Sequence, residues 1–108
     1  MPADAATSLL LPKGKSLAQV AFSHIRYIEV DNKYCRIVTD ADVYLVRTGI
    51  EALLPRLPPG FHRIHRSYVV SLEKVQAIGN GQLTIAGRSL PIARRERTRL
   101  YARFLKLG

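Results

Sequence analysis

The sequence contains a single cysteine, only 8 acidic residues and no long apolar run. The lone thiol of Cys35 excludes an internal disulfide, which fits a reducing compartment. A membrane-spanning helix needs about 20 consecutive apolar residues, and no segment approaches that length. No basic residue precedes the apolar run Leu9–Leu11, and no cleavage site follows it, so we expect no signal peptide. These absences together favour a cytoplasmic protein.

Motifs typical of enzymes are missing too. The chain has no glycine-x-serine-x-glycine nucleophile turn and no glycine-rich phosphate loop. His62 and His65 are three positions apart, so in a strand their side chains point to opposite faces and do not converge on one ion. Neither Cys35 nor His24 adds a recognisable zinc-ligand spacing. We therefore expect no catalysis, no metal, no cofactor and no small-molecule substrate.

Positive charge is plentiful and unevenly distributed. The 108 residues, enough for one domain, carry 17 lysines and arginines and a formal net charge of +9. Residues 1–60 hold 7 basic and 6 acidic side chains, whereas residues 61–108 hold 10 basic and 2 acidic ones. Such an excess favours a polyanionic partner, because neutralising phosphates releases condensed counterions.

Short segments rich in β-branched and aromatic residues predict a mainly β domain from residue 17 to 108, after a flexible tail or linker over residues 1–16. Asn80-Gly81 is the strongest hairpin signal, since both residues tolerate the positive φ of a type I′ turn. The predicted strands are Leu17–Phe22, Ile25–Val30, Tyr34–Thr39, Val43–Arg47, Phe61–Ile64, Tyr68–Val70, Val75–Ile78, Gln82–Ala86 and Leu90–Ile92.

Two helices are expected between and after these strands. The first begins at Thr48, whose hydroxyl can form a capping box with Glu51. Pro55 removes a backbone hydrogen bond, so this helix is short or kinked. The second is predicted over Arg95–Leu107, with an apolar stripe that closes over one end of a sheet.

Three segments place long polar side chains at turns or strand ends. They are Asp31–Tyr34, a polar turn followed by an aromatic residue; Phe61–Leu72, where basic and apolar residues alternate around a turn at Arg66-Ser67; and Leu90–Arg95, a strand that delivers two arginines into a loop. Side chains at such positions project from a rigid sheet and can contact a partner.

These segments, in this order, resemble the LytTR (LytR/AlgR-type) family of DNA-binding domains. The likeness extends over roughly residues 17–105 and includes Ile25–Val30, Asn32–Tyr34, the helix at Ile50–Leu57, Phe61–Val70 and Leu90–Arg94. The resemblance implies an elongated stack of small antiparallel β-sheets, whose loops rather than a recognition helix enter the major groove. It also implies a role in two-component response regulators, which bind direct-repeat sites near promoters.

The resemblance further implies that three loops supply the contacts to bases. In this sequence those positions are Asn32, Lys33, Tyr34, Cys35, Arg66 and Arg94. An arginine fork can donate two hydrogen bonds to one guanine, worth about 1–3 kcal/mol of discrimination. Phosphates position the protein without carrying sequence information. The residues expected to contact phosphates are Arg36, Arg63, Ser67, Arg95, Arg97 and Arg99. Lys33 could contact a phosphate instead of a base.

The expected partner is therefore double-stranded DNA, with a second copy of the chain on a direct repeat and a receiver or other regulatory domain outside this chain. One alternative is a protein-interaction module of the same fold, acting as an inhibitory or membrane-tethered regulatory partner. The basic second half argues against it, since a purely protein-binding domain has no need of that charge. Another alternative is binding of single-stranded nucleic acid through exposed tyrosines.

Overall fold

The computed structural model describes residues 7–104, which form ten β-strands and two short α-helices. The prediction of a mainly β fold with small antiparallel sheets is confirmed, and each of the nine predicted strands is found within two residues of its expected bounds. The strands are β1 (Ser8–Lys13), β2 (Ser16–Ala21), β3 (Ile25–Val30), β4 (Cys35–Thr39), β5 (Val43–Val46), β6 (Phe61–His65), β7 (Tyr68–Ser71), β8 (Val75–Gly79), β9 (Gln82–Ile85) and β10 (Arg88–Pro91).

The first strand was not predicted. A flexible tail was expected through residue 16, but Ser8–Lys13 pair in antiparallel fashion with β2. Three consecutive leucines hide the alternation of this strand, because Leu11 is buried in the core while Leu10 is exposed. Residues 1–6 of the expected tail lie outside the described residues.

A five-stranded sheet, in the order β5-β4-β3-β7-β6, forms the middle layer of the fold. Successive residues of a strand point to opposite faces, so Ile28 and Val69 belong to one core cluster and Tyr27 and Val70 to another. The first cluster is closed by the β1–β2 hairpin and the first helix. The second is closed by the three-stranded sheet, in the order β10-β9-β8, and by Leu100 of the second helix.

The three-stranded sheet has two tight turns at opposite ends. Asn80 and Gly81 connect β8 to β9 with φ values of 54° and 74°, which confirms the predicted type I′ hairpin. Ala86 and Gly87 connect β9 to β10 with φ values of 51° and 73°. An alanine at positive φ is uncommon, which is why this second turn was not predicted from sequence.

Both helices are shorter than predicted. The helix α1 comprises Ile50–Leu53 and continues as a 3-10 turn over Leu54–Arg56, as expected from Pro55. The predicted capping box is wrong, because Gly49 occupies the cap position and no side chain caps the helix.

The second helix, α2, comprises Arg97–Tyr101 and follows a 3-10 turn over Arg94–Glu96. Leu100 is completely buried, so the expected packing of its apolar side against a sheet is found. Residues 105–107 of the predicted helix lie outside the described residues.

Arg88 joins the middle sheet to the three-stranded sheet. Its Nη1 donates to the hydroxyl of Tyr27 at 2.7 Å and lies 3.5 Å from Oε1 of Glu29. The Tyr27 hydroxyl, as a hydrogen-bond partner, and the nearby Glu29 carboxylate raise the pKa of Arg88. Arg88 is therefore a link between two layers rather than an isolated surface charge.

Candidate nucleic-acid interface

The β3–β4 and β6–β7 turns lie side by side at one end of the middle sheet, because β3 and β7 are neighbouring antiparallel strands. The amide of Val30 donates to the carbonyl of Ser67 at 2.8 Å, which joins the two turns. A cleft of about 520 Å³ lies between them, lined by Asn32 on one side and by Arg66 and Ser67 on the other. Two of the three predicted loops are thus adjacent.

The third predicted loop is joined to the same end. It leads from β10 to α2, and the amide of Ala93 donates to the carbonyl of Ile64 at 2.7 Å. A smaller cleft of about 220 Å³ is lined by Arg66 from the β6–β7 turn and by Arg95 from this loop. The side chains of Arg66, Arg94 and Arg95 are all exposed. We call this assembly of three turns the loop end of the molecule.

Two neighbouring side chains fix the backbone of the Arg66 turn. The amide of Ser67 donates to Nδ1 of His65 at 3.1 Å, and Nη2 of Arg63 donates to the carbonyl of Arg66 at 2.8 Å. The imidazole thus accepts a hydrogen bond within the turn and orients its backbone. The guanidinium of Arg66 projects from a turn whose own backbone is held in place.

Arg63 is partly interior. Its Nε is buried and has no hydrogen-bond partner among residues 7–104, while one of its terminal nitrogens binds the Arg66 carbonyl. This side chain supports the turn from behind, and its role as a phosphate contact stays a prediction. Ser67 is half-buried and uses its backbone for the bonds to Val30 and His65.

The prediction that Cys35 contacts bases is wrong. Its side chain is 0% exposed and belongs to the first core cluster. Its Sγ donates to the carbonyl of Thr48 at 3.4 Å, and burial raises the pKa of the thiol. Residue 35 begins β4 with its side chain facing inward, whereas the residues of the preceding turn are outside the sheet.

The rest of the first loop faces solvent. Asn32 and Lys33 are exposed and Tyr34 is half-buried. A groove of about 390 Å³ runs beside them, lined by Lys33, Tyr34, Leu45 and Arg47. Arg47 is not among the positions expected from the sequence to contact DNA, although an arginine directly after β5 must lie at the end where β4 begins.

Arg36 lies on β4, on the face opposite to Cys35. Its side chain is exposed, and its Nη1 is 4.0 Å from Oε1 of Glu29. The same carboxylate is also approached by Arg88, so neither arginine neutralises it alone. The geometry leaves Arg36 accessible to a phosphate.

The arginines of α2 differ in their surroundings. Arg99 is largely exposed and lies 3.4 Å from Oε2 of Glu96, a surface pair of small energetic weight. Arg97 is half-buried, and its Nε donates to the carbonyl of Ile92 at 3.4 Å. Its guanidinium lies against Gly81, where an added Cβ would be 2.6 Å from Nη2.

A network behind the loop end anchors the segment that carries Arg94. Nε2 of His62 is 3.0 Å from Oε1 of Glu96, and Nη1 of Arg103 is 3.3 Å from Nδ1 of His62. Because a guanidinium only donates, Nδ1 accepts and Nε2–H donates to the carboxylate. Arg103 also donates to the carbonyls of Phe61 and Pro59. This arrangement, which spans about 40 residues of sequence, joins α2 and its preceding turn to β6.

The opposite end of the molecule carries paired acids. Asp40 accepts a hydrogen bond from Nε of Arg26 at 2.9 Å, and this bond lowers the pKa of its carboxyl. Lys74 lies 3.7 Å from the same carboxylate, and Lys13 lies 3.5 Å from Asp42. Basic side chains at that end are thus largely matched by carboxylates.

Among residues 7–104, no group of three or more metal-ligating side chains is found. Within the same residues, none of the helices has the length and apolar character needed to span a membrane.

A family model described as the LytTr DNA-binding domain matches residues 15–104. The fold is similar to that of the LytTr DNA-binding domain of a methyl-accepting/DNA response regulator from Bacillus cereus, with a TM-score of 0.78 and 19% identity, over 90% of this chain and 95% of that chain. No curated protein matches the chain in sequence.

Proposed function

The chain belongs to the LytTR family of DNA-binding domains, a family of transcription regulation rather than of enzymes, and from that premise we propose that it recognises specific sites in double-stranded DNA. Its loop end enters the major groove, and its exposed arginines read base edges there. The observation that carries the proposal is the placement of Arg66 and Arg94, which are 28 positions apart in sequence, as exposed side chains on adjoining turns of one rigid scaffold.

The residue types at these turns suit base recognition. An arginine fork donates to O6 and N7 of guanine, and an asparagine amide can pair with adenine. Arg66 and Arg94 take the first role and Asn32 the second, with Lys33 and Tyr34 beside it. The sheets hold these turns in place before DNA arrives, so little ordering entropy opposes binding.

Phosphate contacts surround this centre. Arg36, Arg95 and Arg99 are exposed around the loop end, and Arg47 joins them beside Lys33. Each cation that contacts a phosphate adds affinity for any duplex. It also steepens the fall of log affinity with log salt concentration by about 0.9.

In its biological setting, the domain binds imperfect direct repeats, with one copy on each repeat. Direct repeats place both copies in the same orientation, so no two-fold protein interface is needed. A receiver or other regulatory domain outside this chain supplies the signal.

The proposal is tested by comparing specific and random DNA. A duplex selected by the wild-type chain from a randomised library serves as the specific probe, and a pool of random duplexes serves as the other. Arg66→Ala and Arg94→Ala should each lower the affinity for the selected duplex by about tenfold or more. Their effect on the random pool should be much smaller. Fluorescence anisotropy measures both.

Two controls separate base reading from charge. Arg66→Lys keeps the charge but loses the fork geometry, so it should reproduce the specific loss and spare random DNA. Arg56→Ala removes an exposed arginine on the turn after α1 and should leave the ratio of specific to random affinity unchanged. Equal losses on both probes for Arg66→Ala would contradict the proposal, since they would show that the side chain meets only the backbone.

A further inference from the structure

The turn between β8 and β9 lies beside the Arg94 loop. The amide of Ile92 donates to the carbonyl of Gly81 at 2.9 Å, and the next amide, that of Ala93, donates to Ile64 at 2.7 Å. Arg94 follows directly. Adjoining residues therefore connect the turn at Asn80-Gly81 to the loop end, although the turn itself contains none of the positions expected to contact bases or phosphates.

Arg97 is fixed at this tip. Its Nε donates to the carbonyl of Ile92 at 3.4 Å, and its guanidinium packs on Gly81 so closely that a Cβ there would be 2.9 Å from Cζ. Only a glycine leaves room for this contact. Among residues 7–104 no carboxylate forms an ion pair with Arg97, and the neighbouring Glu96 is already engaged by His62 and Arg99.

Asn80 directly precedes Gly81, the residue on which this cation packs. The positive φ of Asn80 accounts for the choice of a residue that tolerates this backbone conformation, such as asparagine or glycine. The turn does not need the side-chain amide of Asn80, and the residue is exposed. An exposed amide on this turn and a guanidinium that packs against the turn without a carboxylate partner among residues 7–104 are donors that suit a phosphate oxygen.

We propose that Asn80 and Arg97 form a phosphate-binding subsite, which extends the DNA interface from three loops to a fourth turn. The inference rests on the proposed function, because it assumes that the loop end meets a duplex. It adds a fixed contact to the strand backbone next to the groove that the Arg94 loop enters. This contact carries affinity and register rather than base preference.

The two type I′ turns of the three-stranded sheet allow a matched test. Asn80→Asp and Ala86→Asp each create an Asp-Gly turn, a sequence that favours this geometry, and each adds one negative charge. The turns lie at opposite ends of the same sheet, so only residue 80 is near the loop end. Asn80→Gly keeps the turn and removes only the amide.

We expect Asn80→Asp to weaken binding of both the selected and the random duplex by about fivefold to tenfold at 0.1 M salt. The slope of log affinity against log salt concentration should become shallower by about 0.9. Asn80→Gly should weaken both by about threefold, the effect of one lost hydrogen bond. Ala86→Asp should bind within about twofold of wild type, because charge at that distance is screened. Urea unfolding of each variant confirms that the fold is retained.

Two results would overturn the subsite. Equal losses for the two aspartate variants would show that DNA affinity depends only on the net charge of the domain. Wild-type binding by both Asn80 variants would show that the turn does not contact DNA. Arg66→Ala and Arg94→Ala, measured alongside, keep the two proposals apart. If those variants lose specific binding while the Asn80 variants do not, the subsite fails and the proposed function stands. If they lose specific and random binding equally, base reading fails whatever the Asn80 variants do.

Discussion

At the scale of single residues, the side chains proposed to reach DNA are held by others that stay behind them. His65 and Arg63 both bind the peptide group between Arg66 and Ser67, His65 at its amide and Arg63 at its carbonyl. Such support restricts the positions that a guanidinium can take before binding, and restriction is what distinguishes reading of one base from general attraction to phosphates.

Gly81 and Gly87 offer a prediction at this scale. Both have φ above 70°, so alanine at either position should lower the free energy of unfolding by about 1–2 kcal/mol. A Cβ at residue 87 meets no atom within 4 Å, whereas one at residue 81 displaces the Arg97 guanidinium. Gly81→Ala should therefore also weaken DNA binding by about threefold, while Gly87→Ala should not.

Urea unfolding and anisotropy on the same samples check both parts of this prediction. Two variants with equal stability losses and equal DNA affinities would mean that the position of Arg97 does not matter for binding.

Residue identity alone predicted some positions and not others. Asn80-Gly81 was predictable because its turn depends on local backbone preferences. Cys35 was misassigned to the interface because the neighbouring residues of the turn are exposed, and only the side-chain direction at the start of β4 shows that the thiol is interior. The same limit applies to Thr48, where a capping pattern is present in the sequence but the cap falls one residue later.

At the scale of elements, the turn carrying Arg94 depends on its attachment to β6. His62 donates to Glu96 and accepts from Arg103, so it holds the start and the end of the α2 segment at once. His62 and Glu96 have side chains only 12% and 17% exposed, which strengthens a hydrogen bond between them. His62 is thus a positioning residue for the loop.

His62→Ala should lower the free energy of unfolding by about 1–3 kcal/mol, because it leaves Oε1 of the half-buried Glu96 without its donor and only the exposed Arg99 on Oε2. It should also lower affinity for the selected duplex more than for random DNA, since only base reading depends on where Arg94 lies. His62→Gln supplies a donor and an acceptor of similar reach and should restore both values.

Anisotropy with both probes and urea unfolding test this prediction together. If alanine affected both duplexes equally, His62 would be a structural residue only. If the glutamine variant recovered stability but not specificity, the hydrogen bonds of His62 to Glu96 and Arg103 would not be what positions Arg94.

Elements with a clear sequence pattern were predicted most accurately. Strands such as β3 are rich in β-branched residues and were located to the residue. The strand β1 was missed because Leu9–Leu11 reads as a continuous apolar run. The helix α2 was predicted too long, because its charge and apolar spacing continue past Tyr101 while the α-helical backbone does not.

At the scale of the whole molecule, charge is polarised between the two ends. Asp40, Asp42 and their basic partners neutralise one another at the far end, whereas the exposed arginines of the loop end are mostly unpaired. A small domain with this distribution presents its loop end to a polyanion during approach. The polarity could be inferred only partly from sequence, where the excess of charge was assigned to the second half of the chain.

The convergence of three loops on one end depends on the long-range order of strands β3, β7 and β6. Local patterns identified each loop but gave no distance between Arg66 and Arg94. The family resemblance provided that expectation, and the hydrogen bonds of Ser67 with Val30 and of Ala93 with Ile64 give its physical basis.

Site selection from a randomised duplex library, carried out in parallel with the wild-type chain and with Arg66→Ala, tests the central claim most directly. If Arg66 reads a base, the wild type should select a motif in which at least one guanine position is lost in the variant while preference at the other positions remains. Selection of the same motif by both proteins, or a uniform weakening at every position, would contradict recognition of bases by this arginine.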